Sequence, residues 1–278
     1  GPNPAGGQPL KIITPGDYEE CGHLVSGKSS KPTWLIGLDY KPSPDTLVYA
    51  KYARGYRAGG VQAAYAGYEH WGPEKVDAYE VGAKLGFGGA LRGYFNVAAF
   101  YNDFTDQQIQ ATLNAKVAAP LLGGTAIINA GKSRIWGIEV DSVVNLFDHL
   151  RVDAGYTYLN SKLQSLTGVP IVDNRVWAPG DLPWRLVAPT AVAGGPLALS
   201  PKHRLSVGGT WTQSLGDGLG ELSFCAIFVY TSKQGASKST LPKWQDLPST
   251  SLLNLNAAWN DVLGRPIDLA FFMTNATN

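Results

Sequence analysis

The stretch WGIEVDSVVNLFDHLRVDAGYTY, from Trp136 to Tyr158, decides the fold. Every second residue from Trp136 to Leu146, and again from Leu150 to Tyr158, is uncharged, and most of them are apolar or aromatic. The charges lie on the residues between, namely Glu139, Asp141, Arg151 and Asp153. Because successive side chains on a strand point to opposite faces of a sheet, this alternation predicts two strands that share one uncharged face and are joined by a short turn.

The same pattern recurs along most of the chain. An uncharged face of this kind can be followed through 34–40, 81–87, 91–101, 205–211, 222–230, 253–259 and 267–273. Charged residues make up only 16% of the sequence, below the quarter that is typical of soluble domains, while Gly, Trp and Tyr are abundant. Pattern and composition together predict an all-β protein, a transmembrane β-barrel segment whose outer face contacts lipid.

We expect about ten antiparallel strands in up-and-down order, at 33–40, 46–58, 75–87, 91–109, 126–146, 150–161, 203–214, 219–232, 250–260 and 266–278. Tight connections alternate with long ones, and the long ones span 59–74, 110–125, 162–202 and 233–249. In bacterial outer-membrane barrels the short turns are periplasmic and the long loops extracellular, so the alternation also predicts orientation. Residues 1–32 are expected to be an extracellular loop or tail, and 33–278 the partial barrel.

Segment 46–58 departs from the clean pattern. Lys51 and Arg54 fall on opposite faces of this strand. Either a β-bulge shifts the register, or one cation lies near the outer lipid headgroups. The sequence leaves both readings open.

Five further stretches are informative in their order and spacing. They are LVYAKYARGYRAGG (47–60), PEKVDAYEVGAK (73–84), NVAAFYNDFTDQQIQ (96–110), NAGKSRIWGIEVD (129–141) and the chain end, 271–278. Taken together, they resemble the barrel of TonB-dependent outer-membrane receptors. The resemblance implies a barrel of about 22 strands around a separate N-terminal plug, of which this chain would be an internal piece.

The resemblance also implies a function. It is uptake of a scarce solute, such as a ferric siderophore, energised through contact between the plug and the inner-membrane protein TonB. The implied partners are outer-membrane lipid, the receptor's own plug, TonB through that plug, and a small ligand such as an iron–siderophore complex. The alternatives are an ungated outer-membrane porin and a soluble β-rich carbohydrate-binding module.

Motifs for catalysis, cofactors or metals are not apparent in the sequence. The four histidines have no metal-site spacing, and the sequence contains no Gly-x-Ser-x-Gly elbow. A net charge of +1 gives no basic face for nucleic acid. We therefore expect no enzymatic activity, no cofactor, no metal and no nucleic-acid partner.

Ligand binding is expected in the long loops, because function concentrates on loops held by a rigid scaffold. The candidates are Arg57, Tyr65, Tyr68, His70 and Trp71 in or beside loop 59–74, and Trp177 and Trp184 in loop 162–202. Aromatic rings beside a cation suit a catecholate siderophore or a sugar. The alternative is that these residues belong to an interfacial girdle or pack the loops together.

Overall fold

The computed structural model describes residues 25–65, 67–115, 123–166, 184–189, 193–216, 218–235 and 246–277. Within them the strands are β1 (Trp34–Ser43), β2 (Thr46–Arg57), β3 (Gly60–Val61), β4 (His70–Trp71), β5 (Glu74–Phe87), β6 (Leu91–Ala115), β7 (Gly123–Leu146), β8 (Leu150–Leu166), β9 (Trp184–Pro189), β10 (His203–Ser214), β11 (Glu221–Thr231), β12 (Gln234–Gly235), β13 (Asp246–Leu247), β14 (Thr250–Asn260) and β15 (Leu269–Met273). A 3-10 turn, Val262–Gly264, precedes β15.

One antiparallel sheet contains ten of these strands in the order β1-β2-β5-β6-β7-β8-β10-β11-β14-β15. β9 pairs with residues 111–115 of β6. Two small separate sheets are formed by β3 with β4 and by β12 with β13. Among the described residues, no helix is long and apolar enough to cross a membrane. The all-β class and the up-and-down order of about ten strands are therefore confirmed.

The strand bounds agree well with the expected ones, with the main differences where β6, β7, β8 and β15 end. β10 matches its expected bounds, whereas β6, β7 and β8 extend further toward the long loops than expected. The last strand was expected to reach 278, but it ends at Met273. Asn275 has a left-handed backbone, with φ of 56°, and its amide bonds to Asn254 Oδ1, so the chain turns away from the strand direction.

The pairing register keeps the uncharged residues on one face across the sheet. One outward row follows Val48, Ala83, Val97, Val140, Tyr156, Leu205 and Tyr230 through seven neighbouring strands. The adjacent inward row contains Tyr49, Gly82, Ala98, Glu139, Thr157 and Arg204. Leu38 and Val81 on the outward face are 73% and 56% exposed, which suits contact with hydrocarbon.

The two cations of the irregular segment lie on opposite faces of a regularly paired strand. β2 pairs with β5 without interruption from Thr46 to Arg57, so a bulge within this strand is the wrong reading. Lys51 lies on the inward face, where it contacts Glu80 at 2.8 Å. Arg54 lies on the outward face near the end of the sheet that carries the long connections, hereafter the long-loop end.

Most buried apolar side chains lie at the long-loop end and not in the middle of the sheet. They are Ile109, Ala111, Leu113, Ala126, Ala130, Leu163 and Leu186. The strands reach this region through an irregular level of pairing, where register shifts follow Phe104 of β6 and precede Ser133 of β7. Asp106 has a φ of 54° there. The irregularity changes the direction of the parts of these strands that lie beyond it, on the side of the long loops. These are called their upper parts below.

The division into a tail of residues 1–32 and a barrel part of 33–278 stays a prediction. Residues 1–24 lie outside the described part of the chain. Within the described part, β1 and β15 lie at the two ends of the sheet, and each pairs there with one neighbour. The sheet is therefore open.

Candidate functional site

Four pieces of the chain meet at the long-loop end and form what we call the loop cap. They are the loop 58–73, the upper parts of β6 and β7 (107–115 and 123–131), and β9. β9 comes from the long connection between β8 and β10, yet it pairs with β6. Its partner strand therefore lies two places from β8 and three places from β10 in the order of the sheet.

Local hydrogen bonds shape the loop 58–73. β3 and β4 form a short antiparallel pair, Gly60 opposite Trp71 and Val61 opposite His70. The Gln62 side chain donates to the Tyr68 carbonyl at 2.9 Å. Glu69 is only 6% exposed and accepts from the Gly67 amide at 2.8 Å, which satisfies its carboxylate.

An aromatic cluster joins this loop to β9. The rings of Tyr65 and Trp184 meet edge to face with centroids 4.9 Å apart, a favourable geometry for aromatic rings. The Tyr68 hydroxyl accepts from the Leu186 amide at 3.1 Å. Together with Ile128, these three aromatic residues cover the buried residues Ala111, Leu113, Ala126 and Leu186.

One glycine makes this packing possible. A Cβ at Gly124 of β7 would lie 2.3 Å from Cε1 of Tyr65, well inside van der Waals contact. The Tyr65 ring therefore occupies the space that a side chain at position 124 would fill.

Polar side chains fix the base of the loop. Arg57 Nη2 donates to Glu74 Oε2 at 2.9 Å, and the same oxygen accepts from the Gln108 amide at 2.8 Å. The Gln108 side chain donates to the carbonyls of Ala58 and Gly72. Asn129 Nδ2 also donates to the Gly72 carbonyl, at 2.9 Å. Both ends of the loop are thereby attached to β6 and β7.

The expected ligand residues fall into two groups. The structure brings Tyr65, Tyr68 and Trp184 together in the aromatic cluster. Arg57 lies apart from them at the end of β2, 60% exposed and paired with Glu74. His70 and Trp71 are half-buried on β4. Trp177 lies outside the described residues.

The sequence did not reveal β9 or the polar side chains at the loop base. β9 reads WRLVAP and lies in a proline-rich stretch. Pro189 is compatible with the end of an edge strand, and it obscures the alternation of apolar and polar residues. Gln108 and Asn129 bond to the backbone of a distant loop, and periodicity carries no signal for such contacts. Among the described residues, no group of three or more His, Cys, Asp or Glu is arranged to hold a metal ion.

Comparison with known proteins places the sheet in a family. The family described as "TonB dependent receptor-like, beta-barrel" matches residues 14–276. The probable TonB-dependent siderophore receptor PiuA of Acinetobacter baumannii is 28% identical over 152 residues, which cover 51% of this chain and 19% of the relative.

Solved structures agree with the fold. The siderophore receptor PiuA of Acinetobacter baumannii superposes with a TM-score of 0.62 at 21% identity, covering 87% of this chain and 31% of that one. The ferric preacinetobactin receptor BauA of the same species gives 0.62 at 20% identity, covering 93% and 34%. The chain thus spans about a third or less of the relatives it matches. It belongs to the TonB-dependent receptor β-barrel family.

Proposed function

We propose that this chain is part of an outer-membrane receptor that takes up a ferric siderophore with energy supplied through TonB. Membership of the receptor family supports the proposal, and so does the sequence match to a probable siderophore receptor. Family membership is also the reason to prefer energised uptake over passive diffusion through a porin. The family consists of transport receptors, which supports a role without catalysis.

The observation that carries the proposal is the loop cap, an ordered set of loops with aromatic and cationic residues. We propose that Tyr65, Tyr68 and Trp184 hold the cap in shape, since their rings cover its buried residues. Arg57 then presents a guanidinium that is mostly exposed to an anionic ferric complex. His70 and Trp71 on the neighbouring β4 complete the proposed contact surface, with Trp177 as a further candidate.

The orientation follows from the same reasoning. Outer-membrane barrels place long loops outside the cell and short turns in the periplasm. The loop cap would then face the medium, where a scarce ligand is first met. The inward face, on which Lys51 and Tyr49 both bond to Glu80, would face the plug.

The experiment compares two matched arginines in the full-length receptor. Arg57 and Arg92 are 60% and 61% exposed, and each pairs with one carboxylate, at 2.9 and 2.8 Å. Arg92 lies at the opposite, short-turn end of the sheet. Binding of a ferric tris-catecholate and of a ferric trihydroxamate is measured by quenching of tryptophan fluorescence.

We expect Arg57→Gln to weaken binding of one of these complexes by about tenfold, or about 1.4 kcal/mol, and Arg92→Gln to leave it within about twofold. Uptake of radioactive iron as that complex should stop in cells that lack TonB. The site assignment is wrong if the two variants bind equally well. The proposed function is wrong if neither ferric complex binds, or if uptake continues without TonB.

A further inference from the structure

Arg57 and Glu74 form the last residue pair between β2 and β5, where the two strands separate into the loop 58–73. Because the pairing is regular along all of β2, Arg57 lies on the same inward face as Lys51, six residues earlier. The guanidinium is 60% exposed, whereas the carboxylate is only 12% exposed. The pair therefore combines an accessible cation with a largely buried anion, on the inward side of the long-loop end.

One carboxylate oxygen of Glu74 accepts two hydrogen bonds. Glu74 Oε2 accepts from Arg57 Nη2 at 2.9 Å and from the backbone amide of Gln108 at 2.8 Å. This amide belongs to β6, whose register with β7 shifts immediately before Gln108. An exposed ion pair by itself contributes little to stability. Here the backbone bond fixes the position of the acceptor, so the guanidinium is held by a group that is itself held.

The bond to Glu74 engages only one nitrogen of the Arg57 guanidinium. Nε and Nη1 make no hydrogen bond within the described residues. A guanidinium carries five N–H donors in one rigid plane, so a bond to Nη2 also sets the direction of the remaining donors. An arginine that is ordered before its ligand arrives does not lose its side-chain freedom at the moment of binding.

The carboxylate is not needed to close the loop 58–73. The Gln108 side chain donates to the carbonyls of Ala58 and Gly72 at 2.8 and 3.0 Å, and it thereby bridges the two ends of the loop. A substitution of the carboxylate leaves both of these bonds intact. Its loss should therefore free the Arg57 side chain and leave the loop in place.

We infer that Glu74 is a positioning residue, which holds the Arg57 guanidinium in the direction from which the ligand approaches. This inference rests on the proposed function, in which Arg57 contacts the ferric complex. A purely electrostatic role of Glu74 would have the opposite sign, because removal of a negative charge beside Arg57 strengthens the attraction of an anion. A positioning role requires that binding becomes weaker.

The test is a double-mutant cycle in the full-length receptor, with binding of a ferric tris-catecholate and of a ferric trihydroxamate measured by quenching of tryptophan fluorescence. Glu74→Ala removes the acceptor, and Glu74→Gln removes the charge but keeps an oxygen that can accept both bonds. Glu74→Ala is also combined with Arg57→Gln. The matched control is Asp148→Ala, which removes the partner of Arg92 at the short-turn end, where the pair is 2.8 Å apart.

The ferric complex that the parent receptor binds more tightly is the one to compare. We expect Glu74→Ala to weaken its binding by about fivefold, and Glu74→Gln and Asp148→Ala to leave it within about twofold. In the Arg57→Gln background, Glu74→Ala should have no further effect, because the side chain that it positions is gone. Hydrogen exchange of residues 58–73 should be the same in Glu74→Ala and in the parent, since the Gln108 bonds remain.

Three results would overturn the inference: equal or tighter binding by Glu74→Ala, an equal loss in Glu74→Gln, or a loss of the same size with and without Arg57. The last result together with faster loop exchange would assign Glu74 to the base of the loop alone. If Glu74→Ala fails to fold, Glu74→Val, which suits a strand, gives the same comparison. All of these outcomes require that the parent receptor binds a ferric complex, whereas the proposed function fails if the parent binds neither.

Discussion

Tyr65 and Trp184 meet edge to face, their ring planes at 82° to each other, although they come from two different long connections of the sheet. The contact joins the connection between β2 and β5 to the one between β8 and β10. Because β9 is also paired to β6, a movement of either connection has to disturb the other. The loop cap is therefore one packed unit and not a set of independent loops.

Gly124→Val should loosen this unit. A Cβ there would lie 2.3 Å from the Tyr65 ring, whereas one at the neighbouring Gly123 would lie 3.8 Å from its nearest atom, the Leu113 carbonyl oxygen. We expect faster hydrogen exchange of residues 60–71 in the Gly124 variant, because Tyr65 loses its place on β7. Gly123→Val should exchange like the parent protein. Equal exchange in the two variants would show that Tyr65 does not hold the loop.

A disulfide can test the crossing of β9 to β6. Asn114 lies directly opposite Arg185 in the pairing register, and opposite residues in antiparallel strands have Cβ atoms about 4.5–5.5 Å apart. We expect Asn114→Cys with Arg185→Cys to cross-link under mild oxidation, as judged by electrophoresis with and without reductant. Asn114→Cys with Ser165→Cys should not cross-link, since β6 and β8 are not neighbours. A cross-link in that control pair alone would contradict the topology.

Spin labels can distinguish the two faces of the sheet. Ala154 and Thr157 lie on the same strand, β8, but in an outward and an inward row respectively. In lipid bilayers, a label on Ala154→Cys should be relaxed more strongly by oxygen, which concentrates in hydrocarbon. A label on Thr157→Cys should be relaxed more strongly by a water-soluble nickel chelate. The reverse result would require the sheet to be turned inside out.

Asp77→Asn should lower the melting temperature of the full-length receptor by a few degrees. The carboxylate accepts from Arg54 at two positions and from the Tyr52 hydroxyl at 2.7 Å, and an amide cannot accept all of these bonds. Asp45→Asn is the control, since the Asp45 side chain makes no hydrogen bond within the described residues. Circular dichroism on heating would measure both, and an unchanged midpoint for Asp77→Asn would mean that this cluster is not stabilising.

The sequence predicts the sheet well because its signal is periodic. β10 matched its expected bounds, and the uncharged face followed from alternation alone, since lipid on one side removes charge from every second position. The loop cap carries no such period. β9 follows a stretch rich in Pro and lies far from its partner β6, so only the folded chain shows that the two pair.

The sequence predicts the aromatic residues of the candidate site but not how they contact one another. Aromatic residues in loops can be found by inspection, and Tyr65, Tyr68 and Trp184 were. Their mutual contact depends on the route of the chain between β8 and β9, which composition does not encode. The sequence does not predict the roles of Gln108 and Asn129, because their partners are backbone carbonyls of a distant loop.

The irregular pairing beyond Phe104 and Ser133 divides β6, β7 and β8 into a lower and an upper part. Below it the pairing is regular, and an insertion of one residue would turn every later side chain of that strand to the opposite face. Above it, the shifted register already absorbs such mismatches. We therefore expect one-residue insertions to be tolerated better beyond this level than below it.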